Sequence, residues 1–345
     1  MRKNENDFLR KAKKNKNDEF YTRLGDIERE LQYYEKHFKN KIVFCNCDDP
    51  VTSNFFKYFA LNFKKLGLKK LISACYVRQD YNLFDYEHNE WKRGYFYEYT
   101  GLDCETINPS YEDITYFNGN GDFRSKESVD LLKQADIVVT NPPFSLFREY
   151  TAQLIEYKKN FLIIGNINAI TYKEIFKLIK ENKIWLGINM GRGISGFIVP
   201  EHYELYGTET NIDESGNRIV SPNNCLWLTN LDNFKRHEDI DLKKAYLGNE
   251  NDYPKYDNYN GINIDNVKDI PIDYEGMMGV PITFIDKFNP REFEILGCSY
   301  SYGDPGEPYH KQGESFNVSF NDKNVYKRIF IRNLNPISRA EDRGY

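Results

Sequence analysis

Two short apolar runs, one helix apart, constrain this chain most. Lys41–Cys47 (KIVFCNC) and Leu68–Tyr76 (LKKLISACY) have the length and apolar content of buried strands. Between them, Val51–Phe63 reads as a helix, with Asp49 as its N-cap and Pro50 as its first helical residue. Strand, helix and strand in succession make the βαβ unit of a parallel sheet, whose crossover is expected to be right-handed. The alternation continues through a helix at Glu127–Gln134, a strand at Ala135–Thr140 (ADIVVT), a helix at Leu146–Tyr157 and a strand at Asn160–Gly165 (NFLIIG). Upstream, Ile27–Phe38 is amphipathic at helical spacing and follows a loop at Asp18–Thr22. Residues 77–120 read as loops plus a hairpin around Tyr95–Tyr99, with Gly94, Gly101 and Asn108-Pro109 as breakers.

The texture changes after Lys183. A glycine-rich segment (GINMGRGISG, 187–196), a polar stretch at 207–224 and a strand at Cys225–Thr229 come first. From about 245 the chain is rich in Asn, Asp, Tyr and Gly, with apolar segments at 280–298 and 325–331. The expected organisation is a basic polar arm at 1–17, an α/β domain at 18–245 and a smaller, irregular region at 246–345. With 345 residues, 40% of them hydrophobic, two cores can be built, which excludes a disordered chain.

A net charge of −5 excludes nucleic-acid binding by bulk electrostatics, so any such face must be local. One candidate is the arm, where Lys11, Lys13, Lys14 and Lys16 suit either a solvated tail or a DNA contact. Another is the group Lys323, Lys327, Arg328 and Arg332, and Arg192 in the glycine-rich segment is a third. The six cysteines show neither CxxC pairing nor a histidine spacing that suggests zinc, so no metal site is expected and Cys45 and Cys47 read as packing residues. No apolar run approaches the ~20 residues of a membrane span, and the amino terminus has no signal region, so a soluble cytoplasmic protein is expected.

Ligands of an open parallel sheet bind beyond the carboxyl ends of its strands. Three polar clusters fall there: Asn46–Pro50, Gly119–Phe123 (GNGDF) and Asn141–Phe144 (NPPF). The last is the most informative. The exocyclic amine of a purine is a poor nucleophile because its lone pair is delocalised into the ring. An amide oxygen and a backbone carbonyl that accept its two hydrogens would favour a pyramidal nitrogen aimed at an incoming methyl group. Asn141 can supply the first acceptor and the Pro142 carbonyl the second, while Pro142 and Pro143 stiffen the loop and Phe144 offers a stacking face. A base inside a duplex cannot reach such a pocket, so the target would have to be flipped.

DEFYT at 18–22, CNCDDP at 45–50, GNGDFRS at 119–125 and TNPPF at 140–144, in this order, resemble the EcoRI-type adenine-specific DNA methyltransferases. The resemblance extends to GVPITFIDKFNPREFEILG near the carboxyl terminus. It implies a Rossmann-like S-adenosylmethionine-dependent methyltransferase sheet with a C-terminal target-recognition region. It also implies double-stranded DNA as substrate, S-adenosylmethionine as methyl donor without a metal, and a cognate restriction endonuclease as a partner acting on the same site. By matched position, Asn141, Pro142, Pro143 and Phe144 are the catalytic motif. Tyr21 and Thr22 lie near the methionine end of the cofactor, Asn46, Asp48 and Asp49 in its first loop, and Asp122 and Phe123 at its adenine ring. Asp49 is open to two roles, cofactor contact and helix cap. The chain departs from the wider methyltransferase pattern in having no glycine at 46–50 and no acidic residue just after Tyr76. RNA adenine or a protein glutamine as substrate, or a non-catalytic nucleic-acid-binding role, are the alternative readings.

Overall fold

A computed structural model describes residues 21–77, 93–101, 108–190, 193–199, 210–214, 216–221, 224–299, 318–320 and 323–337. The arm at 1–17, Asp18–Phe20, Cys104 and Arg192 lie outside the described residues. The chain divides into two compact units. The first contains the described residues up to Ile167 together with Gly187–Leu231, and the second contains Asn168–Leu186 and the described residues from Asp232 onward.

The first unit is mixed α/β. Its elements in chain order are β1 (Tyr21–Thr22), α1 (Leu24–Leu31), β2 (Ile42–Cys45), α2 (Asn54–Leu61), β3 (Lys70–Cys75), β4 (Tyr95–Tyr99), β5 (Thr115–Tyr116), α3 (Lys126–Gln134), β6 (Ile137–Thr140), α4 (Phe147–Glu156), β7 (Asn160–Asn166), β8 (Phe197–Val199), β9 (Thr210–Ile212), β10 (Arg218–Val220) and β11 (Cys225–Thr229). Seven of these strands form one sheet in the order β5-β4-β3-β2-β6-β7-β11. Its centre, β3-β2-β6-β7, is parallel, while β4 and β5 at one side and β11 beside β7 run antiparallel. The central strands are almost wholly buried, with Val43, Phe44, Val138, Val139 and Phe161–Ile164 inaccessible to solvent, which is why they read as continuous apolar runs. A second sheet, β1-β8-β10-β9, is antiparallel throughout.

Two details correct the expectation from sequence. The helix after β2 begins at Asn54, not Val51, and its N-cap is Ser53, whose hydroxyl accepts from Phe55 N–H at 3.0 Å. Asp49 instead closes a turn: its carboxylate accepts from Val51 N–H and from the Thr52 hydroxyl, each at 2.9 Å. A local side-chain acceptor in front of Val51 competes with the helix and delays its start. The amphipathic stretch Ile27–Phe38 is also not one helix: α1 ends at Leu31 and a short turn follows at Glu35–Phe38. Ile27, Leu31, Tyr34 and Phe38 are nevertheless all fully buried, so the apolar spacing survives the break.

The second unit contains α5 (Lys173–Lys180) and strands β12 (Ile262–Asn263), β13 (Met278–Pro281), β14 (Phe293–Cys298) and β15 (Arg328–Asn333), paired in the order β12-β13-β15-β14. A bulge interrupts β14 between Ile295 and Gly297. Tyr256, Tyr259, Val318, Val325 and Phe330 form an apolar cluster in which the Tyr259 and Phe330 rings lie 4.4 Å apart. Part of the tyrosine excess is therefore core packing.

Candidate active site

β2 and β6 are neighbours, but the chain leaves β2 toward β3 on one side and returns to β6 on the other. The crevice beyond their carboxyl ends is the topological switch point, where open α/β sheets bind ligands. The loop after β2 and the loop after β6 meet there, and Cys47 N–H donates to the Thr140 hydroxyl at 3.2 Å.

The polar side chains of the β2 loop are turned toward the protein. The Tyr150 hydroxyl, on the buried face of α4, donates to Asn46 Oδ1. Asp48 is held from three directions. The Ser53 hydroxyl donates to its Oδ1 at 2.8 Å, the Thr140 hydroxyl donates to its Oδ2, and the Asn141 backbone N–H also bonds its carboxylate. The Asp48 main chain is pinned as well, its N–H to the Ala74 carbonyl at 3.0 Å and its carbonyl to the Ser73 hydroxyl at 2.6 Å. Burial pushes the Asp48 carboxyl up to about 6, with nearby Asp49 adding to the rise and the three donors pulling against it. Its oxygens receive all three bonds, as a carboxylate, which only accepts, can.

In the β6 loop Pro142 is buried, while Asn141, Pro143 and Phe144 are half-buried. Pro143, at φ −61° and ψ 121°, leads into a single tight turn at Phe144–Leu146, closed by Leu146 N–H to the Pro143 carbonyl at 3.0 Å. The Phe144 ring meets Phe197 of β8 edge-on, with centroids 6.1 Å apart. Phe197 is in turn the register partner of Thr22 in β1, and the Asn54 side chain at the start of α2 donates to the Thr22 carbonyl at 2.8 Å. Tyr21 and Thr22, distant in sequence from the NPPF loop, are thus brought to it through one strand pairing and one aromatic contact. Thr22 is buried, and its hydroxyl has no hydrogen-bond partner among the described residues.

The Gly119–Phe123 loop packs at the end of β3. Gly121 takes a positive φ of 78°, and a Cβ there would stand 2.6 Å from the Cys75 carbonyl, so both the conformation and the close approach require glycine. Asp122 pairs with Arg124 at 2.7 Å, and that guanidinium holds its carboxyl below the usual range. Phe123 is buried edge-on against Tyr150, with ring centroids 5.1 Å apart, and the Arg124 guanidinium lies over the Phe123 ring, 5.3 Å from its centroid.

Several residues of this region were not singled out by sequence. Thr140, Ser53 and Tyr150 tie the two loops together, yet a threonine ending a strand, a serine before a helix and a tyrosine on an apolar helix face carry no distinctive signal. Asp26 and Glu30, one turn apart on α1, are buried and grip the glycine-rich segment. Asp26 accepts from Ser195 N–H at 2.8 Å and its hydroxyl at 2.9 Å, and Glu30 accepts from Ile188 N–H at 2.7 Å and Asn189 N–H at 3.0 Å. Burial raises the Glu30 carboxyl, against the pull of these donors. An aspartate and a glutamate on a short polar-faced helix would ordinarily be read as solvated.

The basic group of the second unit is largely committed within that unit. Lys327 donates to the Thr171 hydroxyl at 3.2 Å, Arg328 bonds Asn263 at 2.9 Å and Asp265 at 3.0 Å, and Arg332 lies 3.6 Å from Glu294. Cys45, Cys225 and Cys298 are buried and Cys47 half-buried, and no disulfide forms among the described residues. Also among the described residues, no cluster of His, Cys, Asp and Glu is arranged to hold a metal ion, and no helix is long and apolar enough to cross a membrane.

Comparison with known proteins agrees with the geometry. The sequence profile of the family described as "Adenine-specific methyltransferase EcoRI" matches residues 8–334. The chain is 59% identical to the Type II methyltransferase M.EcoRI of Escherichia coli over 95% of its length and 97% of that protein's. It is 39% identical to the Type II methyltransferase M.MgeORF184P of Mycoplasma genitalium (93% of this chain, 97% of the relative) and 38% identical to M.MpnI of Mycoplasma pneumoniae (84% and 85%). No solved structure matches the chain significantly. The chain belongs to the EcoRI adenine-specific methyltransferase family and is an enzyme of DNA adenine methylation.

Proposed function

We propose that the enzyme methylates the N6 amine of an adenine flipped out of double-stranded DNA at a defined sequence, and that the Asn141–Phe144 loop receives the base. The observation that carries this reading is the rigid two-proline loop at the switch point, braced from behind by Asp48 and flanked by an aromatic ring. Asn141 Oδ1 and the Pro142 carbonyl accept the two amine hydrogens and draw the nitrogen toward a tetrahedral shape. Both acceptors are neutral, so they polarise the N–H bonds without removing a proton ahead of transfer. Phe144 stacks on the extruded base, which offsets part of the cost of leaving the helix.

The residues fit S-adenosylmethionine as donor. The buried Thr22 hydroxyl, without a partner among the described residues, suits a polar ligand, and Tyr21, Asn46 and Asp49 of the first loop and Asp122 with Phe123 complete the surroundings that would hold it, beside Asp48 in the same loop. When bound, this cofactor supplies a methyl group on a cationic sulfur, activated enough that transfer needs no further electrophile. The relatives are named Type II methyltransferases. By analogy the enzyme works in the cytoplasm beside a restriction endonuclease that cuts the same site. On this reading the first unit, whose sheet has a parallel centre, is a Rossmann-like catalytic body, and the irregular carboxyl-terminal part reads the target sequence.

The test is product identity. Unmethylated genomic duplex DNA, incubated with the protein and methyl-labelled S-adenosylmethionine, digested to nucleosides and separated, is expected to carry its label in N6-methyl-2′-deoxyadenosine, and mapping of methylated adenines in undigested DNA from the same reaction is expected to place them at one short sequence. Label in methylcytosine, or in RNA or protein supplied in parallel but not in DNA, would overturn the reading.

A further inference from the structure

Residues 46–50 stand where methyltransferases commonly have a glycine-rich cofactor loop, yet the carboxylate of Asp48 is taken up by donors of the protein itself. Its two carboxylate oxygens receive the Ser53 hydroxyl from the start of α2, the Thr140 hydroxyl from the last residue of β6 and the backbone N–H of Asn141. Its own backbone is fixed to the end of β3 through Ala74 and Ser73. The carboxylate thus sits between an anchored frame and the junction of β6 with the substrate loop. Two of its donors immediately precede the Pro142 carbonyl, and the third belongs to the opposite side of the crevice.

We propose that Asp48 is a positioning residue for methyl transfer, acting through Thr140 and the Asn141 N–H to set the direction of the Asn141 amide and the Pro142 carbonyl, and not a ligand of the cofactor. The inference rests on the adenine-N6 reading given above, since it concerns how the acceptors of that amine are aimed. A carboxylate suits this task better than an amide. An ionised carboxyl only accepts, so it takes three donors at once, whereas an asparagine would turn an NH2 group toward one of them. Misdirecting an acceptor by a fraction of an ångström weakens a bond that matters most in the transition state, so the loss should appear in the rate of transfer and not in cofactor affinity.

The experiment compares Asp48→Asn, Thr140→Val and Thr140→Ser with the parent. S-adenosylmethionine affinity is read by calorimetry, and the single-turnover methylation rate is read on unmethylated genomic DNA at saturating cofactor. The expected result is a 10- to 100-fold slower transfer in Asp48→Asn and Thr140→Val with affinity for S-adenosylmethionine within about threefold of the parent, and near-parent rate in Thr140→Ser, which keeps the hydroxyl. The double variant Asp48→Asn/Thr140→Val should be no slower than the slower single variant, because both remove one linkage. Should Asp48→Asn fail to fold, the Thr140 pair carries the same comparison. Affinity weakened more than tenfold with an unchanged saturated rate would make Asp48 a cofactor ligand and overturn the inference. An unchanged rate in Thr140→Val would do the same. Neither result touches the adenine-N6 reading, which fails if labelled DNA lacks N6-methyl-2′-deoxyadenosine.

Discussion

The loops after β2 and β6 lie side by side at the carboxyl ends of two central strands and are built on opposite principles. In Asn46–Pro50 the side chains are bound to the protein: Asn46 to Tyr150, Asp48 to Ser53 and Thr140, Asp49 to its own turn. In Asn141–Phe144 the backbone is made rigid by prolines and a tight turn, leaving the Asn141 amide and the Phe144 ring half-buried at the crevice. One loop is tied through its side chains and the other through its backbone, so on the proposed reading the first braces the second, and a motif's rigidity can be borrowed from a neighbouring loop as well as from its own prolines.

The comparison can be broken by substituting each side of the crevice separately. The larger effect is expected on the substrate side. Phe144→Ala removes the stacking face, worth about 1–3 kcal/mol per base, and should raise KM for DNA roughly 10- to 100-fold. It should also reduce the fluorescence rise of a 2-aminopurine placed at the mapped target, while Phe144→Tyr retains both. A Phe144→Ala enzyme with parent KM and a full fluorescence response would remove the base-stacking role. A smaller effect is expected at Thr22. Because its buried hydroxyl has no partner among the described residues, Thr22→Val should leave the Tm of the ligand-free protein unchanged or raised. The same change should weaken S-adenosylmethionine binding about tenfold, the value of one hydrogen bond at ~1.4 kcal/mol. Unchanged affinity in calorimetry would detach Thr22 from the cofactor.

Much of the first unit was legible in the sequence because its physics is periodic. A strand buried on both faces must be an uninterrupted apolar run, and KIVFC, ADIVVT, NFLIIG and CLWLT appear as strands at or within a residue or two of the expected limits. What resisted reading was contact at long sequence separation. Nothing in the order of residues announces that Tyr150 reaches Asn46, that Asp26 and Glu30 are turned inward to hold Ser195, Ile188 and Asn189, or that Phe197 joins Phe144 to the strand bearing Thr22. Competition between local structures is equally hidden in the sequence, since Asp49 and Ser53 are both good caps and the turn that Asp49 closes leaves Ser53 to start the helix. The second unit was harder still. Its strands are short, one carries a bulge, and Arg328, which reads as a surface charge, is spent on Asn263 and Asp265. For the site itself, the substrate motif was visible as a motif, whereas the roles of individual side chains around it depended on which way each one turned.

The most direct test of the central claim is Asn141→Ala, assayed for single-turnover methylation of unmethylated genomic DNA and, on the same preparation, for S-adenosylmethionine binding by calorimetry. Losing one of two transition-state acceptors should slow transfer by roughly 10²–10³-fold while leaving cofactor affinity near that of the parent. A variant that methylates at the parent rate would contradict the account, because the Asn141 amide would then have no part in directing the adenine amine.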